Sequence, residues 1–147
     1  MVEFVNLGRV GMAAEPAAAH LAAHHHAQGH RVLIVARDPA QAERLDQVLW
    51  TFEPASFLPH ALAGQPDQHQ EPVLIATRAH NLNRARVALF MVPPDDPPLR
   101  AFTHLVLLVP AEQGEELDAC RRLYRRLSRE PEVELRHTTR LSRRVPH

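Results

Sequence analysis

The 147 residues make about one domain, large enough to bury a core without staples, and no apolar run nears the ~18 residues needed to span a bilayer. The single cysteine, Cys120, excludes an internal disulfide and a zinc-type cysteine cluster and points to a reducing cytoplasm. The 17 basic and 17 acidic side chains cancel, which argues against a protein coated in nucleic acid; yet residues 121–147 hold nine arginines against three acids, and residues 1–120 hold eight against fourteen, so the basic end suggests a local anionic partner.

The N-terminus carries Glu3 where a secretory leader would want a positive charge, so it does not read as one. Val2 to Leu7 reads as a first strand, and an alanine-rich helix follows from about Ala13 to Gln28, with Glu15 and Pro16 in its first turn and Gly29 closing it. Val32 to Val35 is a β-branched apolar run suited to a strand buried on both faces. Asp38 then caps a helix with Pro39 at its first position, and Ala42, Leu45, Val48 and Leu49 fall on one face while Arg44, Asp46 and Gln47 fall on the wet one. Trp50 ends this helix. After Pro54 the chain runs through Ser56, Phe57, Leu58, Pro59 and His60 to Gly64, and residues 64–71 are polar and turn-like.

Val73 to Thr77 reads as the third strand and Val87 to Val92 as the fourth. Prolines at 93, 94, 97 and 98 bracket two aspartates and forbid regular structure there. Leu105 to Val109 is the strongest strand pattern and therefore central, and Gln113 to Ser128 is its helix, with Leu117, Cys120, Leu123, Tyr124 and Leu127 as the apolar stripe and Pro131 as the stop. Val133 to Thr138 alternates like an edge strand. Strands alternating with helices predict a three-layer α/β/α domain over residues 1–140 with a mostly parallel, Rossmann-like sheet lacking a cofactor site, followed by a flexible basic tail at 141–147.

Chemistry-bearing patterns are few. The turn Asn6-Leu7-Gly8-Arg9-Val10-Gly11 sits where a dinucleotide fold places its glycine fingerprint, and Asp38 sits where that fold places its ribose acid. Asn6 replaces the first glycine, and Glu15 and Pro16 crowd the helix start that would face a pyrophosphate. A degenerate Rossmann-type nucleotide-binding protein or oxidoreductase fragment is thus the alternative reading. His20 and His24 lie one helical turn apart, but no third ligand is spaced with them, so the histidines at 20, 24, 25, 26 and 30 read as imidazoles on a solvated face. No G-x-S-x-G, reactive cysteine or paired carboxylate site is present; Cys120 falls on a buried stripe, and His60 reads as a packed loop histidine. No catalytic residue, metal or cofactor is expected. Trp50 and Phe57 are either core or exposed anchors for a partner. Arg121, Arg125 and Arg129 follow at i, i+4 and i+8, with Arg122 and Arg126 as a parallel row and Tyr124 between, an arrangement suited to a carboxylate on a hydrophobic peptide end.

Several of these residues also carry a family resemblance: V-L-I at 32–34, R-L-D at 44–46, L-W at 49–50, S-F-x-P-H-x-L-A-G from Ser56 to Gly64, and P-V-x-I-A from Pro72 to Ala76. In these motifs, which cover the middle third of the chain, it resembles the chi subunit family of bacterial DNA polymerase III. The resemblance implies a non-catalytic accessory subunit of the holoenzyme. It would bridge the clamp loader, through psi or an equivalent subunit, to the C-terminal tail of single-stranded DNA-binding protein. By the same likeness Trp50, Phe57, Leu58 and Pro59 would form the psi-docking surface. Aligning the tyrosines implies a pocket for the acidic, phenylalanine-terminated tail at Val109, Arg121, Tyr124 and Arg125, with nucleic acid engaged only indirectly and no membrane involved.

Overall fold

In the computed structural model, residues 1–52 and 58–141 are described. Seven strands form one sheet in the order β3-β4-β2-β5-β6-β1-β7, and every neighbouring pair runs parallel. They are β1 Val2–Asn6, β2 Val32–Val35, β3 Ala61–Leu62, β4 Val73–Ala76, β5 Val87–Phe90, β6 His104–Val109 and β7 Leu135–Thr138. The helices are α1 Leu7–Val10, α2 Ala14–Ala27, α3 Pro39–Thr51 and α4 Glu115–Leu127. A parallel sheet needs cover on both faces, which is why the interior strands are continuously apolar.

Alternation divides the strand residues between two cores. Val5, Val32, Ile34, Val73, Ile75, Val87, Leu89, Val106 and Leu108 face α2 and α3. Phe4, Leu33, Leu74, Phe90, Leu105, Leu107 and Val109 face α4, and Ala85 and Phe102 from the connecting segments cover the rest of that side. The expected three layers are therefore present, although α4 is the one long helix on its face among the described residues.

The Asp38 cap forms as the sequence implies: its carboxylate accepts from the Gln41 N–H at 2.8 Å, with Pro39 opening α3. In α4 the acids Glu115, Glu116 and Asp118 occupy the first turn and Arg125 and Arg126 the last, in line with the helix dipole. Glu116 also pairs with Arg37 beyond the end of β2.

Some expected boundaries move. β1 stops at Asn6 because Asn6 caps a four-residue helix, its Oδ1 accepting from the Arg9 N–H at 3.0 Å; Gly11 then closes that helix in the left-handed region at φ 74°, where glycine has no Cβ penalty. β6 begins at His104 and lies between β5 and β1, so the middle place in the sheet goes to β5. β7 begins at Leu135, not Val133. The two-residue strand β3 was not expected; it is too short to carry an alternation pattern.

Candidate functional site

At the carboxyl ends of β1 and β6 the space between sheet and α4 is not filled. A cleft of about 430 Å³ opens there, lined by Phe4, Asn6, Val109, Leu117, Cys120, Arg121, Tyr124, Arg125 and His137. Open α/β sheets bind ligands at the carboxyl ends of their strands, because loops and helix termini diverge there. Val109, Arg121, Tyr124 and Arg125 all meet in this one cleft, while the parallel row, Arg122 and Arg126, does not line it. Arg126 turns instead to the proline-bracketed segment, donating to the Asp95 carbonyl at 3.2 Å and to Asp96 Oδ1 at 3.5 Å.

The cleft joins an apolar floor to a cationic rim. Tyr124 does not belong to the buried stripe: it is 41% exposed and packs edge-to-face on Phe4, with ring centroids 5.2 Å apart. The stripe itself is Leu117, Cys120, Leu123 and Leu127. Arg121 is exposed, with Asp118 3.9 Å away, too far to hold the guanidinium in one geometry. Burial pushes the Cys120 thiol up to about 11, so it stays protonated and behaves as a small apolar group on the cleft floor. Among the described residues no acid lines the cleft. Chemically, the arrangement offers guanidinium donors above an apolar slot, which suits a carboxylate attached to an aromatic or aliphatic residue.

On the opposite side of the sheet, Trp50 lies in the last turn of α3, which ends at Thr51; it is 56% exposed and packs edge-to-face on His60 at 4.7 Å. His60 is shielded from solvent; its ring Nδ1 lies 2.8 Å from the Leu58 carbonyl and its Nε2 3.2 Å from Asp46 Oδ1. It thus acts as a packed loop histidine that holds the segment under the indole. Leu58 is only 3% exposed and joins the α2/α3 core, so its side chain is not part of the surface expected there; Pro59 is half-buried and Phe57 lies outside the described residues.

A profile of the family described as DNA polymerase III chi subunit, HolC, matches residues 1–134. The chain belongs to that family. Among its relatives, the DNA polymerase III subunit chi of Escherichia coli (strain K12) is 36% identical over 103 residues, covering 69% of this chain and 70% of the relative. The subunit chi of Haemophilus influenzae (strain ATCC 51907 / DSM 11121 / KW20 / Rd) is 31% identical over 114 residues, covering 77% and 78%. A probable subunit chi of Rickettsia prowazekii (strain Madrid E) is 32% identical over 63 residues, covering 43% and 38%. Chi is a replication accessory subunit of DNA polymerase III.

Other features of this chi-family chain are structural. Gly8 packs where a Cβ would come within 3.3 Å of Ala111 Cβ, and Gly11 is a helix cap, so both glycines of the first turn have local uses that involve no phosphate. The histidines of α2 do not share a solvated face. His20 and His25 are buried, because α2 packs on the sheet with α3 alongside it and most of its positions are covered. His25 meets His104 edge-to-face at 5.0 Å, beside a second cavity of about 610 Å³. Burial, with His104 and His24 close by, lowers its pKa to about 4, so it is neutral near pH 7. Beneath it, burial alone would raise the Glu3 carboxyl, but hydrogen bonds from His104 at 2.9 Å and Thr138 at 2.5 Å outweigh that and leave it below the ordinary carboxylate value. Among the described residues no group of histidine, cysteine and acidic side chains is placed to hold a metal ion, and no helix is long and apolar enough to cross a membrane.

Proposed function

We propose that this chi-family chain is a non-catalytic adaptor of the replicative polymerase in the cytoplasm. The α4 cleft takes the acidic, phenylalanine-terminated tail of single-stranded DNA-binding protein, and the Trp50 surface docks to psi or an equivalent clamp-loader component. The observation that carries this reading is the meeting of Val109, Arg121, Tyr124 and Arg125 in one cleft that no acid lines among the described residues. The terminal phenyl ring would lie on the apolar floor beside Tyr124, and the terminal carboxylate would accept from Arg121 and Arg125. Trp50, exposed on the other side of the sheet, has the character of an interface anchor. Two weak contacts on opposite faces would raise the effective concentration of polymerase at coated template without either being tight.

Isothermal titration of the chain against a tail peptide, NAD and a single-stranded oligonucleotide tests this against its rivals. The reading expects saturable binding of the peptide and none of the other two. Binding of NAD would favour the nucleotide-binding alternative, and binding of the oligonucleotide alone would favour a direct single-strand binder.

A further inference from the structure

We propose that Asn6 is a specificity-determining residue of the α4 cleft, donating from its side-chain amide to the terminal carboxylate that Arg121 and Arg125 attract. The proposal rests on the peptide-binding reading above. Asn6 is the last residue of β1 and pairs across the sheet with Val109, the last residue of β6, so the two form the inner end of the cleft side by side. It lies on the same face as Phe4, two residues earlier, whose ring supports Tyr124.

The orientation of the amide follows from the helix it caps. Oδ1 accepts from the Arg9 N–H at 3.0 Å, a role the amide nitrogen cannot fill, so Nδ2 with its two protons is the end of the side chain left over. No partner for Nδ2 exists among the described residues. An aspartate would cap this short helix as well as asparagine does, since the two rank together at that position. It would also place a negative charge beside Val109 in a cleft whose charged lining is otherwise Arg121 and Arg125, with His137 on the β7 side. Asn6 therefore combines the cap with a neutral donor, which an anion-binding cleft can use and a purely structural position does not require.

The same logic makes the test clean, because the cap and the donor separate chemically. Asn6→Asp keeps the acceptor for Arg9 and replaces the donor with a charge; Asn6→Ser keeps a capping oxygen, stays neutral and withdraws the amide. Both are titrated with a synthetic acidic peptide ending in phenylalanine, as free acid and as C-terminal amide, beside wild type and Arg121→Glu. Thermal melts of each variant verify the fold. Asn6→Asp is expected to melt as wild type does and to bind the free-acid peptide at least about tenfold more weakly, with Asn6→Ser weaker by a few-fold. The loss should shrink for the amidated peptide, which lacks the carboxylate. Full affinity in Asn6→Ser with loss in Asn6→Asp would show a charge effect only and overturn the donor role. Wild-type affinity in both, while Arg121→Glu has lost binding, would overturn the proposal and leave the peptide site standing; no binding by wild type would instead sink the peptide-site reading itself, and this proposal with it.

Discussion

On one face of the sheet α2 and α3 lie side by side, with Ala17, Ala18, Ala19, Ala22 and Ala23 letting α2 settle close to the strands and Leu45 and Leu49 filling under α3. On the other, α4 is the one long helix among the described residues, buries a narrow stripe and leaves the strand ends beside it open as the cleft. The first face is paved, so its substitutions should be felt as stability. The second is incompletely covered, so its substitutions at the rim should be felt as binding. The groups proposed to bind sit where the packing stops, because a guanidinium or an indole can keep one side in water and the other against apolar atoms.

That contrast is most easily broken in the paved layer. Leu45 is fully buried, and Leu45→Ala should cost about 2–5 kcal/mol in a urea or thermal unfolding experiment, whereas Arg125→Ala on the cleft rim should stay within about 0.5 kcal/mol. Equal losses at the two positions would erase the distinction.

The buried imidazole of the paved face gives the next largest effect. His25 has a folded pKa of about 4 against an ordinary value of 6.5, so protonation favours the unfolded chain. Its contribution is fully present above pH 6.5 and is lost as pH falls toward 4, by up to about 3 kcal/mol. Glu3, with its pKa lowered, contributes above its ordinary 4.5 and loses that only as pH falls further. Melting temperature measured from pH 7.5 to 4 should therefore decline mainly below 6.5, and His25→Phe should flatten that part of the curve; an unchanged slope in the variant would place the titrating group elsewhere.

Trp50 gives the smallest effect on the fold. Because more than half its surface is exposed, Trp50→Ala should shift stability by less than about 1 kcal/mol while abolishing co-purification with the polymerase partner. A collapse in melting temperature would return the indole to the core.

What the sequence made legible follows the same division. The β-branched run at 32–35, the Leu105–Val109 run and the Asp38-Pro39 start each carry a local physical signal strong enough to survive folding, and all three appear as expected. The i, i+4 spacing of Arg121 and Arg125 likewise places them together on one side of α4. What stayed hidden depends on neighbours distant in sequence. His20 and His25 look solvated until α3 and the sheet close over α2, and Leu58 reads as part of an exposed loop until the core receives it. Asn6 and His137 come from strands at opposite ends of the chain, and only the β1–β7 pairing brings them to the cleft. The asparagine type was the one local clue at Asn6, because Asn is among the residues favoured at a helix N-cap, the place it takes here.

The central claim, that the uncovered edge of the α4 face is a peptide-carboxylate site, is tested most directly by titrating Arg121→Glu with the tail peptide at low and moderate salt. Arg121 is exposed and has Asp118 only at 3.9 Å, so the reversal should leave the melting temperature unchanged. Losing a charge-assisted contact of about 1.5–3 kcal/mol and adding repulsion should weaken binding by at least about tenfold, and wild-type affinity should fall as salt rises. A variant that binds the intact tail as tightly as wild type, with the same salt dependence, would contradict the account.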